Sequence, residues 1–253
     1  MVGSTRREVS NTTVAYIAAG VVIVILMMIL GISAFLSVVE ISVEGTSLYS
    51  VEEVVDASGL SFGNNLMFLN TQTISQNIRA ALPFVSSVQI SRNLPGTVHI
   101  EVTESEARAS IAFAGDILII DSSGRVLMRS DHNPSGLIEI RGIELRDAIE
   151  GRSLMPEQGG ETAVQHMQDI LAAMERAGIE QDVSYLDVSN ITNIHFGYLG
   201  MYRVVLGGAR DLRHRLGILP NQVTEIQVMF SSIPGIIDMS DPSGDVKFHS
   251  GQY

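Results

Sequence analysis

Three carboxylates stand close together at Glu101, Glu104 and Glu106. A glycosidase uses such a group, with one carboxyl kept protonated in an apolar pocket and a second facing it across a cleft. The setting here points elsewhere. The acids close the stretch SVQISRNLPGTVHIEVTESEA, Ser87 to Ala107. In it Val88 and Ile90 alternate with polar residues, and Asn93-Leu94-Pro95-Gly96 breaks the run. Val98, Ile100 and Val102 then alternate with Thr97, His99, Glu101 and Thr103. The pattern is two strands around a turn. Parity puts His99 and Glu101 on the polar face, and Glu104 and Glu106 where the strand runs out. Nothing nearby builds an apolar pocket. A charged strand end that discourages stray edge pairing accounts for these acids better than catalysis does.

Other chemistry is as sparse. The histidines are His99, His132, His166, His195, His214 and His249, and no two have the spacing of H-E-x-x-H. Without cysteine, a zinc site would have to gather histidines and acids from distant segments. No G-x-S-x-G or S-x-x-K is present, and the single lysine, Lys247, comes near the end of the chain. In VVLGGARDL a strand, Gly207-Gly208 and a helix follow in an order that could cradle a phosphate. Neither G-x-G-x-x-G nor a G-K-S/T element accompanies it, so the glycines read as the turn from strand to helix. No catalytic residue, metal ligand or cofactor is implied, and the expectation is a protein that is not an enzyme.

Composition places the chain beside a membrane. Between Glu8 and Glu40 there is no charged residue, and Val14 to Val39 is almost wholly apolar. A spanning helix needs about 20 such residues. A signal-peptide core is shorter, about 7–15 residues, and no A-x-A pattern follows. The run therefore predicts an uncleaved anchor in the lipid bilayer over 14–39. Arg6 and Arg7 precede it and Glu40 and Glu44 follow, which keeps residues 1–13 in the cytoplasm as a tail and puts the rest outside. The formal charge of −12 lies almost wholly in that outer part and argues against nucleic acid as a partner and against binding to an anionic membrane surface.

The outer part divides near Ala107. In the first block, SVVEISVEG predicts a strand. Ser50 with Glu53 makes a capping box for a helix ending at Gly59. Ile74, Ile78 and Leu82 share one face of a second helix, capped by Asn70 or Thr71 and ended by Pro83. With the two strands around Asn93–Gly96, the order is β-α-α-β-β over 40–106. In the second block, 107–253, DILIIDSSGRVLM predicts a hairpin with Gly124 in the left-handed position. GLIEIRG predicts a further strand. Val164, Met167, Ile170, Leu171 and Met174 make an apolar helical stripe ending at Gly178. Three strands follow as a meander. Two helices, ARDLRHRLGIL and NQVTEIQVMFSS, are expected on either side of Pro220, and then a strand, the turn Asp241-Pro242-Ser243-Gly244 and a last strand. The fold class is α+β, with a mixed, mostly antiparallel sheet in the second block.

An apolar anchor followed by ISVEG, SVEEVVDASGL, GNNLMFLN, LPFVSSVQISRNLPGTVHIEVTESEARA and IIDSSGRVL resembles the FtsQ/DivIB family of bacterial division proteins. The pattern runs from Pro83 through Arg92 and Pro95 to Glu104. RVVLGGARDLRHRLGIL and IIDMSDPSGDVKF fit the family's second domain, and PSGLIEIRG only approximates its L-P-x-L-x-G element. The resemblance implies a POTRA domain next to the membrane, then a β domain. It implies a non-enzymatic role at the division septum, with FtsL/FtsB- or DivIC-type bitopic partners. Through these the protein would act on the septal peptidoglycan synthase, FtsW with its transpeptidase. POTRA units also occur before outer-membrane barrels, but no series of barrel strands follows here. A cell-wall hydrolase would need a perturbed acid pair in a cleft.

The end of the chain offers a route to binding. DVKFHS, Asp245 to Ser250, predicts a short strand with Val246 and Phe248 on one face and Lys247 and His249 on the other. At a sheet edge it could accept a partner's strand. Arg210, Arg213 and Arg215, on the preceding helix, could attract acidic partner residues.

Overall fold

The computed structural model describes residues 11–230, 233–241 and 243–251. Helix α1 covers Asn11–Phe35, 25 residues without a charge. Its large described side chains, from Tyr16 to Met28, are half or more exposed. Among the residues whose side chains are described, no helix is long and apolar enough to cross a membrane. The expected tail over 1–13 lies outside the described residues except for 11–13, which α1 includes. The expected anchor over 14–39 includes positions 14, 15, 29, 30 and 32–35, whose side chains also lie outside them.

The end of the apolar run differs from the expectation. Residues 36–39 are not helical. The Leu66 N–H donates to the Leu36 carbonyl at 2.7 Å, Val38 donates to Asn64 at 2.8 Å, and Val39 to Gly96 at 2.8 Å. Val38 is buried. The backbone bonds commit this segment, and Val38 with its side chain, to a folded unit, so hydropathy alone overran the helix by one turn.

The chain forms two compact units, one of Met1–Ile78 with Ser87–Thr103, the other of Arg79–Ser86 with Glu104–Tyr253. In the first, β1 (Glu40–Glu44), α2 (Val51–Ser58), a 3₁₀ turn (Leu66–Phe68), α3 (Thr71–Ala81), β2 (Val85–Asn93) and β3 (Thr97–Glu104) follow in order. The sheet order is β1-β3-β2, with β1 parallel to β3 from Glu40↔Thr97 to Glu44↔Glu101. Ser50 Oγ accepts the Glu53 N–H while the Glu53 carboxylate accepts the Ser50 N–H at 2.8 Å, so the capping box is formed. Asn70 Oδ1 caps α3 by accepting from Gln72 and Thr73. Val54, Leu66, Ile74, Ile78, Val98 and Ile100 are buried, which is the alternation and periodicity of the sequence realised.

The second unit carries a larger sheet. Its elements are β4 (Ala109–Phe113), β5 (Asp116–Ile120), β6 (Val126–Ser130), β7 (Ile138–Arg141), β8 (Leu145–Asp147), β9 (Met155–Pro156), α4 (Glu161–Ala177), β10 (Val183–Asp187), β11 (Ile194–Tyr198), β12 (Tyr202–Gly207), α5 (Leu212–Phe230), β13 (Gly235–Asp238) and β14 (Lys247–Ser250). Nine strands pair in the order β14-β13-β12-β11-β10-β7-β4-β5-β6. Three pairs are parallel, β4 with β7, β7 with β10 and β12 with β13; the other five are antiparallel. Parallel neighbours need a crossover. Helices α4 and α5 lie in two of these crossovers, between β7 and β10 and between β12 and β13, and pack on each other. Met167, Ile170 and Met174 of α4 join Leu216, Leu219 and Val223 of α5 with Phe196, Tyr202 and Val204 in one core.

Two helices were expected around Pro220, and the structure has one. Helix α5 runs through Pro220 unbroken. Proline removes one backbone donor and crowds the preceding turn at a cost of about 3 kcal/mol. Four buried side chains, Leu216, Leu219, Val223 and Ile226, make a continuous stripe on both sides of it, and their burial at about 1.5–3 kcal/mol each outweighs that cost.

Gly45 tests the first unit. Its φ is +83°, and a Cβ there would lie 2.1 Å from the Val102 carbonyl oxygen of β3. Gly45→Ala is expected to cost at least about 1–3 kcal/mol, seen as an earlier loss of secondary structure in thermal denaturation followed by circular dichroism. An unchanged transition would contradict the close approach.

Candidate partner-binding edge

The nine-stranded sheet has two edges, and the chain treats them differently. At β6 the following segment folds back. Val126 donates to Arg152 at 2.9 Å, Gly151 to Val126 at 2.8 Å and Leu154 to Gly124 at 2.8 Å. The Arg129 N–H donates to the Glu150 carboxylate at 3.0 Å. At β14 no described residue pairs with the outer side.

Register decides which groups β14 leaves open. Its partners on β13 are Ser250↔Gly235, His249↔Ile236, Phe248↔Ile237 and Lys247↔Asp238. The Gly251 N–H donates to the Pro234 carbonyl at 3.1 Å, on the same register. In an antiparallel ladder bonded and non-bonded pairs alternate. Gly251, His249 and Lys247 therefore turn their backbone groups to β13, while Phe248 and Ser250 turn theirs outward. The strand begins at Lys247, so Asp245 and Val246 lead into it.

Side chains follow the expected parity. Val246 and Phe248 are half-buried against the core, and Asp245, Lys247, His249 and Ser250 are exposed. The Phe248 ring lies edge-on to Tyr202 at 6.3 Å and tilted against Phe230 at 5.1 Å. Phe230 ends α5, where Val228 and Met229 are 81% and 66% exposed. Sequence reasoning missed Tyr202 and this apolar helix end. The signal was present in QVMF, three apolar residues that cannot all fall on the buried stripe.

The three arginines at and just before the start of α5 divide. Arg210 and Arg213 are exposed. Arg215, expected beside them, is turned inward. Its guanidinium donates to the carbonyls of Gly208 at 3.1 Å, Arg210 at 2.8 Å and Leu206. Burial lowers its pKa, opposed by Asp211 and Asp238. A cation whose Nη1 and Nη2 are held by three carbonyls serves the fold, not a partner. Gly207, at φ +68°, would meet the Ser240 side chain at 2.9 Å if it carried a Cβ, so its smallness serves packing.

The turn before β14 is tied locally. Asp241 Oδ1 accepts from the Ser243 N–H at 2.9 Å and hydroxyl at 2.7 Å, and Oδ2 from Lys247 Nζ at 3.1 Å. The Ser243 backbone and hydroxyl bonds, then Lys247, lower the Asp241 pKa from 3.8 to about 2. The bond to Asp241 raises that of Lys247. Burial raises Asp238, but the Ser240 hydroxyl and N–H with Lys247 and His249 leave it below its ordinary value.

Glu106 and Glu101 sit in different settings. Glu106 pairs with Arg108 at 2.8 Å, and Arg108 also holds Glu175 and Glu180. Glu101 is exposed, opposite Glu44 in the register. His195 lies 3.7 Å from Asp187 and 2.9 Å from an Arg203 nitrogen, and no hydroxyl or thiol nucleophile bonds to it among the described residues.

Residues 36–105 match the family model described as POTRA domain, FtsQ-type. The chain is 23% identical over 215 residues to cell division protein DivIB of Clostridium tetani, covering 85% of this chain and 80% of that one. It is 35% identical over 138 residues to cell division protein FtsQ of Corynebacterium glutamicum, covering 53% and 61%. A third relative, cell division protein FtsQ of Anaeromyxobacter, is 31% identical over 134 residues, covering 52% and 45%. The chain is similar to FtsQ and DivIB cell division proteins, and residues 36–105 carry a POTRA domain of the FtsQ type.

None of the signature residues Pro83, Arg92, Pro95 and Glu104 is part of β14. Arg92 Nη2 donates to the Leu69 carbonyl at 2.7 Å. The Pro83 carbonyl accepts from the buried Arg125 at 3.0 Å, and the Arg79 carbonyl accepts from the same guanidinium. Pro95 sits in the exposed turn before β3, and Glu104 ends β3 half-buried.

Two outcomes follow. In the free protein the amides of Phe248 and Ser250 exchange with solvent much faster than those of His249 and Gly251, measured by hydrogen exchange with NMR detection; the reverse order would overturn the register. The Asp241 carboxylate, with a depressed pKa, supports the turn fully above pH 3.8 and loses that support as the pH falls towards about 2. The stability advantage of the wild type over Asp241→Asn should therefore shrink across that window and be flat above it, read from denaturation midpoints against pH.

Proposed function

We propose that this protein is a single-pass scaffold of the division machinery, its N-terminus cytoplasmic and its bulk outside the cell membrane, at the septum. It receives a strand from an FtsL/FtsB- or DivIC-type bitopic partner along β14. Through that partner it helps recruit and regulate the septal FtsW–transpeptidase pair. It has no catalytic role of its own.

The observation that carries this reading is the asymmetry of the two edges. A strand edge is a template for another chain unless something covers it. The chain covers β6 with its own residues and leaves β14 uncovered among the described residues.

Backbone pairing alone is not enough. The outward N–H and C=O groups of Phe248 and Ser250 supply four bonds at about 1 kcal/mol each, which corresponds to roughly millimolar affinity. Val228, Met229 and Phe230 beside Phe248 offer the apolar surface that would bring further affinity. Arg210 and Arg213 would steer acidic partner residues and act mainly on the association rate.

Ser250→Pro removes an outward donor without touching a bond to β13, and edge strands tolerate proline. It is expected to weaken binding of the partner's extracytoplasmic domain by about tenfold while stability stays unchanged, in calorimetric titrations of the full chain. Deleting residues 247–253 should abolish the interaction. Undiminished binding by either variant, still folded, would contradict the reading.

A further inference from the structure

The first unit carries an apolar rim that its own core does not explain. Val39, Phe62, Met67, Phe68 and Leu94 are 58% to 86% exposed. They come from three segments distant in sequence, and the hydrogen bonds bring those segments to one end of the sheet. Residues 36–38 bond to Asn64 and Leu66, and the Gly63 N–H donates to the Val38 carbonyl. The Gly96 carbonyl accepts from both Val39 and Glu40. Because β1 runs parallel to β3 from Glu40↔Thr97, the approach to β1 and the turn before β3 lie at the same end.

That end is where α1 joins. Helix α1 stops at Phe35, and the next residue already accepts a bond from Leu66, whose 3₁₀ turn presents Met67 and Phe68. No linker intervenes. At about 3.5 Å per residue, the few residues from Phe35 to Val39 cannot carry this face far from the helix end.

We propose that this rim lies in the outer interfacial layer of the lipid bilayer, seating the first unit on the membrane and not on a flexible stalk. The proposal rests on the reading of α1 as a membrane anchor. Aromatic and apolar side chains gather at that depth because it takes their apolar bodies out of water. Arg92, held on the Leu69 carbonyl one residue from Phe68, places a guanidinium where lipid phosphates lie. Glu40 Oε2 accepts from the Thr97 hydroxyl at 3.1 Å, so the acid at this end is engaged.

The chain has no tryptophan, so a single introduced one reports its own depth. Phe68→Trp, Ile25→Trp and Val51→Trp would each be made in the full chain. Val51 lies beyond β1, towards the other end of the sheet. Each variant is reconstituted into phosphatidylcholine–phosphatidylglycerol vesicles containing lipids spin-labelled at the headgroup or in mid-chain. Phe68→Trp should emit to the blue of Val51→Trp and lose intensity to headgroup labels, and Ile25→Trp should be quenched by mid-chain labels. If Ile25→Trp is quenched while Phe68→Trp behaves like Val51→Trp, the anchor stands and the seated rim is overturned. If Ile25→Trp is not quenched either, the anchor reading fails and the rim falls with it.

Discussion

Every backbone N–H and C=O at the side of a sheet must be paired, covered or left to water, and the second unit is organised around that constraint. Nine strands in an open sheet create two such sides. One is closed by residues 150–154, whose backbone and carboxylate groups bond to β6 and the turn before it. The other is a four-residue strand at the end of the chain. Strand β14 returns beside β13 after the last crossover, and among the described residues no strand pairs with its outer side. Sheet edges of this kind are hazards in most proteins. Under the proposed reading the same groups are the means of attachment.

Packing keeps that strand presentable without covering it. Phe248 is held between Tyr202 and Phe230, so the inner face of β14 is fixed to the core while its outward amides stay accessible. The Asp241–Ser243–Lys247 contacts fix the turn that delivers it. Two arginines complete the frame. Arg215 gathers carbonyls between β12 and α5, and Arg125 gathers those of Arg79 and Pro83. A buried guanidinium such as Arg125 would cost several kcal/mol without such acceptors, and half-buried Arg215 is held by three carbonyls, so both are committed to structure. Of the arginines in this region, Arg210, just before α5, and Arg213, in its first turn, stay exposed.

What could be read from sequence was local. Val98, Ile100 and Val102 are buried because strand parity has only two faces, and Ser50 with Glu53 forms its capping box because the two side chains alone satisfy it. Met167, Ile170 and Met174 fill the core from a stripe that needs no partner to be recognised. What could not be read depended on distant segments. Pro220 looks like a stop until the buried stripe that spans it is known. Arg213 and Arg215 are alike in sequence, and only the position of the carbonyls of Leu206, Gly208 and Arg210 separates them. The anchor's end was overrun because Val38 is as apolar in a protein core as in lipid. The openness of β14 could be posed from its alternating pattern, but pairing order is a property of the whole sheet.

The account turns on where a partner's backbone bonds, and hydrogen exchange in the complex measures that directly. The full chain would be compared alone and saturated with the extracytoplasmic domain of its bitopic partner. The account predicts that the amides of Phe248 and Ser250 become protected on binding while those along β6 stay as they were. Binding that protects other segments and leaves Phe248 and Ser250 exchanging as in the free protein would contradict it.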